Sequence, residues 1–280
     1  MHGHISSENN KLKNQTAFSG NRFWLILNLG AFLLLLQTVS CTKDPVTPDP
    51  VPRSLQVWLH HVNTTDKSQH FQNTYSGFEL DVHFDTTVVT FIVKHDFNDT
   101  TTLTFSTWLS AITDPGHLGY WLDFKNLESW NKTAALAELL RIRTQFNLTQ
   151  HTVVVESSCP ACLPPFDTLN FRVSYYIPTF NPATLTEEEE LAYRDFIEGV
   201  ILPNDIGTIS AYAMQHDFMK KWFPEMNKLL WALDIVDPAE KDSVINEIGK
   251  DPTVEVLLVS ENYPVSYQAG HTLFYNTVEK

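Results

Sequence analysis

The sequence predicts an α/β fold, a TIM-type (β/α)8 barrel that forms a single domain. Apolar runs of strand length alternate with amphipathic helical segments from residue 55 onward, which is typical of a parallel sheet covered by helices. The chain has 280 residues, 43% of them hydrophobic, and about 250 residues is the usual size of such a barrel. Polar side chains also stand at the ends of early strands, where barrels of this class carry their chemistry.

The predicted strands number nine, one more than a closed barrel of this type contains. In chain order they are QVWLHHV, GFELDVHF, VVTFIVKH, GYWLDFKN, TVVVESS, FRVSYYI, TISAYAM, LLWALDI and VEVLLVS. The predicted helices are LTFSTWLSAI, NKTAALAELLRIRTQF, TEEEELAYRDFIEGVIL, FMKKWFPEMNK and PAEKDSVINEIGK. Thr186 is expected to cap the third helix, ahead of its acidic first turn. We expect FRVSYYI or TISAYAM to be the extra or short strand.

The region before the predicted barrel has the features of an export signal. Residues 23–36 form an apolar run preceded by basic residues, and this run is shorter than the about 20 residues that cross a bilayer. Ser40 and Cys41 resemble a bacterial lipobox, in which Cys41 becomes the lipidated first residue of the mature chain. An ordinary secretory signal and a membrane anchor are the alternatives.

This pattern divides the chain into three parts. Residues 1–41 are expected to be a signal peptide with a lipobox, residues 42–53 a Pro-rich extended linker, and residues 54–280 the barrel domain. The expected location is therefore the bacterial cell envelope, at the outer membrane or the cell surface, with a lipid on Cys41 as the anchor to the membrane.

Cysteine usage agrees with export. Cys159 and Cys162 form the other cysteine pair, spaced as CxxC. In an oxidising compartment this pair is expected to be a small structural disulfide or two free thiols. A redox-active pair is the third alternative, although no thioredoxin-like context surrounds it.

The charge balance restricts the partners. The chain has 19 Lys and Arg residues against 33 Asp and Glu residues, which gives a net charge of −14. Such a field repels nucleic acid and anionic membranes at long range, so no nucleic-acid partner is expected. Any phosphate chemistry needs local positive charge from a metal or a lysine. We expect the chain to be a monomer.

The most informative stretch is residues 77–96, GFELDVHFDTTVVTFIVKHD. Glu79 and Asp81 are two residues apart on a predicted strand, so both side chains project from one face. A hard divalent cation such as Mg²⁺ or Ca²⁺ would neutralise this pair. His95 follows the next apolar run, where a barrel presents its site. The alternative is a solvated strand face followed by a turn.

Two further strands carry polar groups at the same end. QVWLHHVN brings His60 and His61, with Asn63 just beyond, and GYWLDFKN brings Asp123 and Lys125, again two residues apart. If the first four predicted strands all run in parallel, these side chains converge with Glu79, Asp81 and His95 at one mouth of the barrel. This set of groups is suited to phosphoryl chemistry.

The ordered motifs resemble those of the PLC-like phosphodiesterase superfamily, which includes glycerophosphodiester phosphodiesterases, sphingomyelinase D enzymes and the menorin family. HHVN, ELDVHFD, KHD, LDFKN, WALD and SENYP are similar to its motifs and follow in the same order between residues 55 and 264. LTFSTWLSAI before GYWLDFKNLES is most similar to menorins. The cysteine-rich loop of sphingomyelinase D is absent, and HHV stands where glycerophosphodiester phosphodiesterases have HRG, so the substrate class stays open.

The resemblance implies acid/base catalysis by two histidines, His60 and His95. Imidazoles suit this role because their usual pKa near 6.5 lets one accept and the other donate a proton near neutrality. His61, on an extended strand, is expected to point away from His60 and to have no role. No role is expected for His70, His83 or His117.

The resemblance also implies a metal site and substrate contacts. Glu79, Asp81 and Asp123 would hold Mg²⁺ or Ca²⁺ against a phosphate oxygen, and Lys125 would add positive charge there. Asn63 would donate a hydrogen bond. Trp231 would offer an apolar wall to the substrate, or else pack as an ordinary barrel residue.

Two hypotheses follow for the function. The first is a metal-dependent phosphoric diester hydrolase or lyase that acts on a phospholipid head group or a glycerophosphodiester. The second is a non-catalytic barrel that binds a phospholipid, a glycan or a partner protein at the cell surface. Both histidines, three carboxylates and a lysine favour the enzyme, because a binding module has no need for the acid/base pair.

Overall fold

The structure is a computed structural model that describes residues 55–233 and 238–261, apart from the side chains of residues 238–242. The predicted signal peptide, Cys41 and the linker lie outside the described residues. So do Asp234 of the WALD motif and residues 262–264 of the SENYP motif.

The core of the fold is a closed barrel of eight parallel strands with one further strand attached. The strands are β1 (Gln56–Leu59), β2 (Gly77–Asp85), β3 (Thr90–Val93), β4 (Gly119–Phe124), β5 (Val153–Ser157), β6 (Arg172–Tyr176), β7 (Thr208–Tyr212), β8 (Asn227–Ala232) and β9 (Val254–Val259). Around the barrel the order is β1-β9-β8-β7-β6-β5-β4-β2, and the pairing of Leu59 with Phe78 closes the ring. The predicted TIM-type (β/α)8 barrel is confirmed.

The extra strand is β3, and the prediction that it would be FRVSYYI or TISAYAM is wrong. These two runs form β6 and β7 of the barrel. β3 instead pairs antiparallel with the outer half of β2, from Asp85 opposite Thr90 to Val82 opposite Val93. The nine residues of β2 extend beyond the barrel, and the hairpin needs only a short turn to return. The chain therefore comes back toward the mouth with His95 at its end, although β3 is not a parallel barrel strand.

Helices surround the barrel. They are α1 (Thr65–Phe71), α2 (Phe105–Ser110), α3 (Lys132–Gln145), α4 (Pro164–Asp167), α5 (Glu187–Ile201), α6 (His216–Trp222) and α7 (Pro238–Ile248). Thr186 caps α5, and Glu189 completes the capping box. In the described part of the chain, no helix has the length and hydrophobicity that a membrane span requires.

Two helical segments differ from the prediction. α1 was not predicted, because TDKSQHF has few apolar residues and its main signal is the Thr64 side chain, which accepts a hydrogen bond from the Lys67 N–H. α6 ends at Trp222, two residues before Pro224, rather than continuing to Lys228. Proline disfavours helix at the residue before it, so the chain turns there and enters β8 at Asn227.

An apolar cluster fills the barrel interior below the mouth. Its buried members are Trp58, Trp121, Val154, Leu229, Trp231, Val256 and Leu258. The Trp58 indole lies directly over Gly77 and Gly119, where an added Cβ would come within 2.5 Å and 2.1 Å of the ring. Any larger residue at these two positions would displace the indole. This packed apolar layer restricts the polar groups to the upper end of the barrel.

The loop after β5 contains a disulfide between Cys159 and Cys162. Cys162 is buried and Cys159 is half-buried. The disulfide is the first of the alternatives that the sequence left open for this pair.

Candidate active site

Glu79 and Asp81 project into the barrel from β2. They alternate with Leu80 and Val82, which pack outward against the helices, and each carboxylate residue is only 3% exposed. The strand geometry that the sequence predicted for this pair is confirmed. Two carboxylates are therefore held in a nearly water-free position, where their charge must be balanced by neighbours.

Asp123 and Lys125 reach the same level from β4. Asp81 and Asp123 are paired in register, and the Lys125 backbone N–H donates to the Val82 carbonyl at 3.0 Å. The Lys125 ammonium lies 2.8 Å from Asp81 Oδ1 and also donates a hydrogen bond to Asp123 Oδ2. Burial opposes the charged lysine, but the charges of Asp123 and Asp81 outweigh it and raise its pKa. The lysine is thus a fixed positive charge between two carboxylates.

Glu79, Asp81 and Asp123 together form a candidate metal site. One oxygen from each lies within 4.8 Å of the others. Burial and the charges of Asp81 and Asp123 raise the pKa of Glu79 well above its usual value, and burial raises that of Asp123. Burial also acts against Asp81, but Lys125 and Asn63 keep its pKa below the usual value. An all-oxygen set of three clustered carboxylates fits a hard divalent cation.

His60 lies just past the end of β1, where its backbone N–H donates to the Val259 carbonyl at 2.9 Å. Its Nε2 is 3.5 Å from Glu79 Oε2. Burial, followed by the neighbouring His61, lowers the pKa of His60 to about 4. The ring is therefore neutral near pH 7, which is the form that can accept a proton.

His61 does not point away from the site, so that prediction is wrong. Its φ of 56° lies in the left-handed region, which breaks the extended geometry on which the prediction depended. The His61 N–H donates to Glu79 Oε2 at 2.6 Å, and its Nε2 is 3.5 Å from Asp81 Oδ2. Its ring also meets that of His95 edge-on, with centroids 6.1 Å apart. His61 is thus part of the site.

Lys67 on α1 holds this turn in place and was missed by sequence reasoning. Its ammonium donates to the carbonyls of His60 and His61 at 3.2 and 3.1 Å, and it lies 3.7 Å from the Glu261 carboxylate. The lysine gives no sequence signal of its own, because the helix that carries it was itself not predicted.

Asn63 is directed at Asp81. Its Nδ2 donates to Asp81 Oδ2 at 2.6 Å, and its Oδ1 accepts from the Asp81 backbone N–H at 3.0 Å. The nitrogen of the Asn63 amide thus holds the Asp81 carboxylate, and its oxygen holds the Asp81 backbone. The structure therefore gives Asn63 the role of orienting Asp81, and its assignment as a substrate contact stays a prediction.

His95 follows β3 and is the most exposed of the site histidines, with 55% of its side chain accessible. Its Nδ1 is 3.0 Å from Asp96 Oδ1. The buried His83 lies beneath it, with Nε2 at 3.1 Å from the His95 carbonyl oxygen, and burial lowers the pKa of His83. A neutral His83 donates its Nε2–H there, so His83, to which no role was assigned, supports the backbone of His95.

Glu156 is a buried carboxyl that sequence reasoning missed. It lies on β5, paired in register with Asp123, and the Ser210 hydroxyl donates to its Oε2. Burial and the charge of Asp123 raise the pKa of Glu156 to about 8. The only sequence signal was a glutamate inside the otherwise apolar run VVVES.

Trp231 packs in the upper layer of the apolar interior. Its ring lies 6.1 Å from Trp121 and 5.1 Å from both Tyr176 and Tyr212, centroid to centroid. It is 8% exposed, whereas Tyr176 at the end of β6 is open to solvent. Packing as a barrel residue is what the structure shows, and substrate contact by Trp231 stays a prediction.

The fold is shared with enzymes of known structure, although no protein-family model and no curated protein sequence matches the chain. A glycerophosphodiester phosphodiesterase from Parabacteroides distasonis is 13% identical, with a TM-score of 0.52, over 75% of this chain and 94% of that one. An Oleispira antarctica phosphodiesterase, solved with the product sn-glycerol-3-phosphate, is 12% identical, with a TM-score of 0.52, over 77% of this chain and 96% of that one. The chain therefore shares the barrel fold of these two phosphodiesterases.

Proposed function

We propose that the chain is a metal-dependent phosphodiesterase that cleaves a glycerophosphodiester or a phospholipid head group. The observation that carries the proposal is the grouping of Glu79, Asp81, Asp123 and Lys125 beside histidines at the C-terminal mouth of the barrel. In barrels of this class, that mouth is where active sites lie. The shared fold with glycerophosphodiester phosphodiesterases supports the same assignment.

Glu79, Asp81 and Asp123 would hold Mg²⁺ or Ca²⁺. When bound, such an ion neutralises charge on a non-bridging phosphate oxygen. Lys125 places a second positive charge beside the same carboxylates, and its raised pKa keeps it charged throughout the neutral range. Together they offset the negative field of a chain with a net charge of −14, which would otherwise repel a phosphodiester.

His60 and His95 would move the protons. His60, with a pKa of about 4, is neutral and accepts the proton of the attacking hydroxyl. His95 would protonate the leaving oxygen, and its exposed ring suits contact with an incoming substrate. Both histidines interact with the charge of Asp81, which links them to one side of the metal site. Each proton transfer of this kind contributes about 10²–10⁴-fold to the rate.

The substrate proposal starts from the sn-glycerol-3-phosphate bound to the Oleispira antarctica relative. A glycerophosphodiester would yield that product on hydrolysis. If a hydroxyl of the substrate attacks in place of water, the product is a cyclic phosphate, so product analysis separates the hydrolase from the lyase. A barrel that only binds a phospholipid, a glycan or a protein is the competing proposal, and the neutral His60 beside three carboxylates argues against it.

The test is a panel of phosphodiesters on the purified full chain. The panel compares glycerophosphodiesters with phospholipids, each in chelator, in Mg²⁺ and in Ca²⁺. We expect turnover that chelation abolishes and one of the two ions restores, and that is lost in Asp81→Asn but kept in Asp114→Asn, an exposed aspartate outside the site. Metal binding without turnover of any member would favour the binding protein, and turnover that persists in chelator would refute the metal site.

A further inference from the structure

The mouth of the barrel is surrounded by exposed apolar side chains. Of the nine large apolar residues that are exposed in the described part of the chain, six belong to segments at this end: Val88, Val89, Phe97, Trp130, Tyr176 and Met214. We call these six residues the apolar rim. Isolated exposed apolar residues are ordinary on soluble proteins, but a concentration of them around one opening is the pattern of an interaction site.

The topology places the rim residues at one end. Trp130 follows β4, Tyr176 ends β6 and Met214 follows β7, so all three stand at the carboxyl ends of parallel strands. Val88 and Val89 form the tip of the β2–β3 hairpin, which extends beyond the barrel at that same end. The rim thus consists of separate projecting tips around a polar centre.

The side chains at the hairpin tip are poorly suited to their backbone. Val89 has a φ of 51°, a left-handed conformation that disfavours β-branched residues and that turns usually assign to Gly or Asn. Val88 is 63% exposed and gains nothing from the core. Turn chemistry opposes a valine at position 89 and solubility opposes both valines, so contact with an apolar partner would account for their presence.

Phe97 is held outward. It is 78% exposed, while the Lys94 ammonium donates to its carbonyl at 2.7 Å and lies 5.2 Å from its ring centroid. Trp130 is 67% exposed on the neighbouring loop. Because Phe97 is held in this manner, it loses little further freedom on insertion, and Trp is enriched where an apolar medium meets water.

The charges of the same loops indicate which kind of lipid surface the rim would contact. Asp85, Asp96, Asp99 and Glu128 are exposed beside the rim and outnumber the lysines of the same loops, Lys94 and Lys125, in a chain with a net charge of −14. An anionic bilayer would be repelled, whereas the outermost charge of a zwitterionic phospholipid is its ammonium group, which complements these carboxylates. Separate projecting loops around an opening also suit a fluid bilayer, because a fluid surface needs no fixed shape complementarity.

We propose that the apolar rim inserts into the surface of a zwitterionic phospholipid bilayer and places the mouth of the barrel against the lipid head groups. The inference goes beyond phosphodiester cleavage, because it concerns where the molecule works. Its test therefore uses readouts that require no turnover, and it can fail or succeed independently of the proposed function.

The test uses the full chain with Cys41→Ser, so that an added cysteine is the single free thiol beside the Cys159–Cys162 disulfide. A fluorophore that reports polarity is attached at Trp130→Cys in the rim or at Leu202→Cys, a control that is 73% exposed and follows α5 at the opposite end of the barrel. The probes are mixed with phosphatidylcholine vesicles or with phosphatidylglycerol vesicles, each with and without nitroxide-labelled lipid.

We expect a blue shift and nitroxide quenching at position 130 with phosphatidylcholine, a weaker response with phosphatidylglycerol, and none at position 202. Attachment through the N-terminal apolar segment alone would leave both probes in water and would overturn the proposal. So would equal responses at the two positions, or a response to phosphatidylglycerol only.

Charged substitutions in the hairpin supply the second arm of the test. Val88→Asp with Val89→Asp should weaken the response at position 130 by about tenfold or more, because two apolar contacts with the lipid are lost and two charges must be kept in water. Phe196→Asp, an equally exposed apolar residue on α5, should leave the response unchanged. Circular dichroism checks that each variant is folded. An unchanged response in the folded hairpin variant would overturn the proposal.

Discussion

Asn63 and Asp81 are joined by two hydrogen bonds that use both ends of the Asn63 amide, at 2.6 and 3.0 Å. The amide thereby fixes the orientation of one candidate metal ligand and the backbone of the strand that carries it. Groups that orient metal ligands commonly change metal affinity by 10–100-fold when they are removed, so this contact makes a direct prediction.

Asn63→Ala should weaken Mg²⁺ or Ca²⁺ binding by about 10–100-fold, measured by calorimetry on the full chain. Asn73→Ala, an exposed asparagine in the turn after α1, is the matched control and should bind the ion as the wild type does. If Asn63→Ala binds the ion normally but loses substrate affinity, then Asn63 is a substrate contact, as the family resemblance implies, and does not act through Asp81.

The sequence predicted the barrel and most of its site because the signals were local. Alternation along β2 is enough to place Glu79 and Asp81 on one face, and the structure has them so. The extra strand was assigned wrongly because hairpin pairing is a relation between segments: VVTFIVKH reads as a buried parallel strand until β2 is seen to extend far enough to pair with it. Periodicity carries no information on strand direction.

The site contained residues that no local pattern could place. His61 was assigned to an extended strand, and a single positive φ reverses the direction of its side chain. Lys67 and Glu156 reach the site from elements whose sequences show nothing unusual, a short polar helix and an apolar strand with one glutamate. Such contacts depend on the closed ring of strands, so they become visible only in three dimensions.

His61→Ala should change the pH dependence of turnover. His61 is the second-largest cause of the low pKa of His60, after burial, so its removal should raise that pKa above about 4. The acidic limb of kcat/KM, which reports protonation of the base, should therefore move to higher pH. His117→Ala, at an exposed surface position, should leave the profile unchanged. An acidic limb that stays in place in His61→Ala would show that His60 is not the group that titrates there.

Glu156 should make the stability of the chain depend on pH. Its pKa is about 8 in the folded state and near 4.5 in the unfolded state. The stability that the protonated Glu156 contributes is therefore fully present below pH 4.5 and is lost as the pH rises through 8. In chelator, the free energy of unfolding of Glu156→Gln relative to that of the wild type should therefore rise by on the order of a few kcal/mol from pH 5 to pH 9. Urea unfolding at both pH values measures the difference. Glu188→Gln, on the exposed face of α5, is the control, and a gain that does not vary with pH would refute the buried, protonated carboxyl.

Lipid attachment at Cys41 remains a prediction from the sequence. We expect the wild type to fractionate with bacterial membranes and to carry a lipid mass on its N-terminal residue, and Cys41→Ser to lose that mass and leave the membrane fraction. Thr47→Ser, in the predicted linker and outside the lipobox, is a conservative control for effects of mutation in this segment. Unchanged fractionation together with an unmodified N-terminus would exclude the lipoprotein assignment.

The most direct test of the account is the pair of histidines, His60 and His95, measured singly and together. On a substrate identified from the phosphodiester panel, His60→Ala and His95→Ala should each lower kcat/KM by about 10²–10⁴-fold, with folding and metal binding intact. Because the two groups act in one step, the double variant should lose far less than the product of the single losses. Losses that simply multiply, or single variants that keep most of their turnover, would contradict acid/base catalysis by this pair.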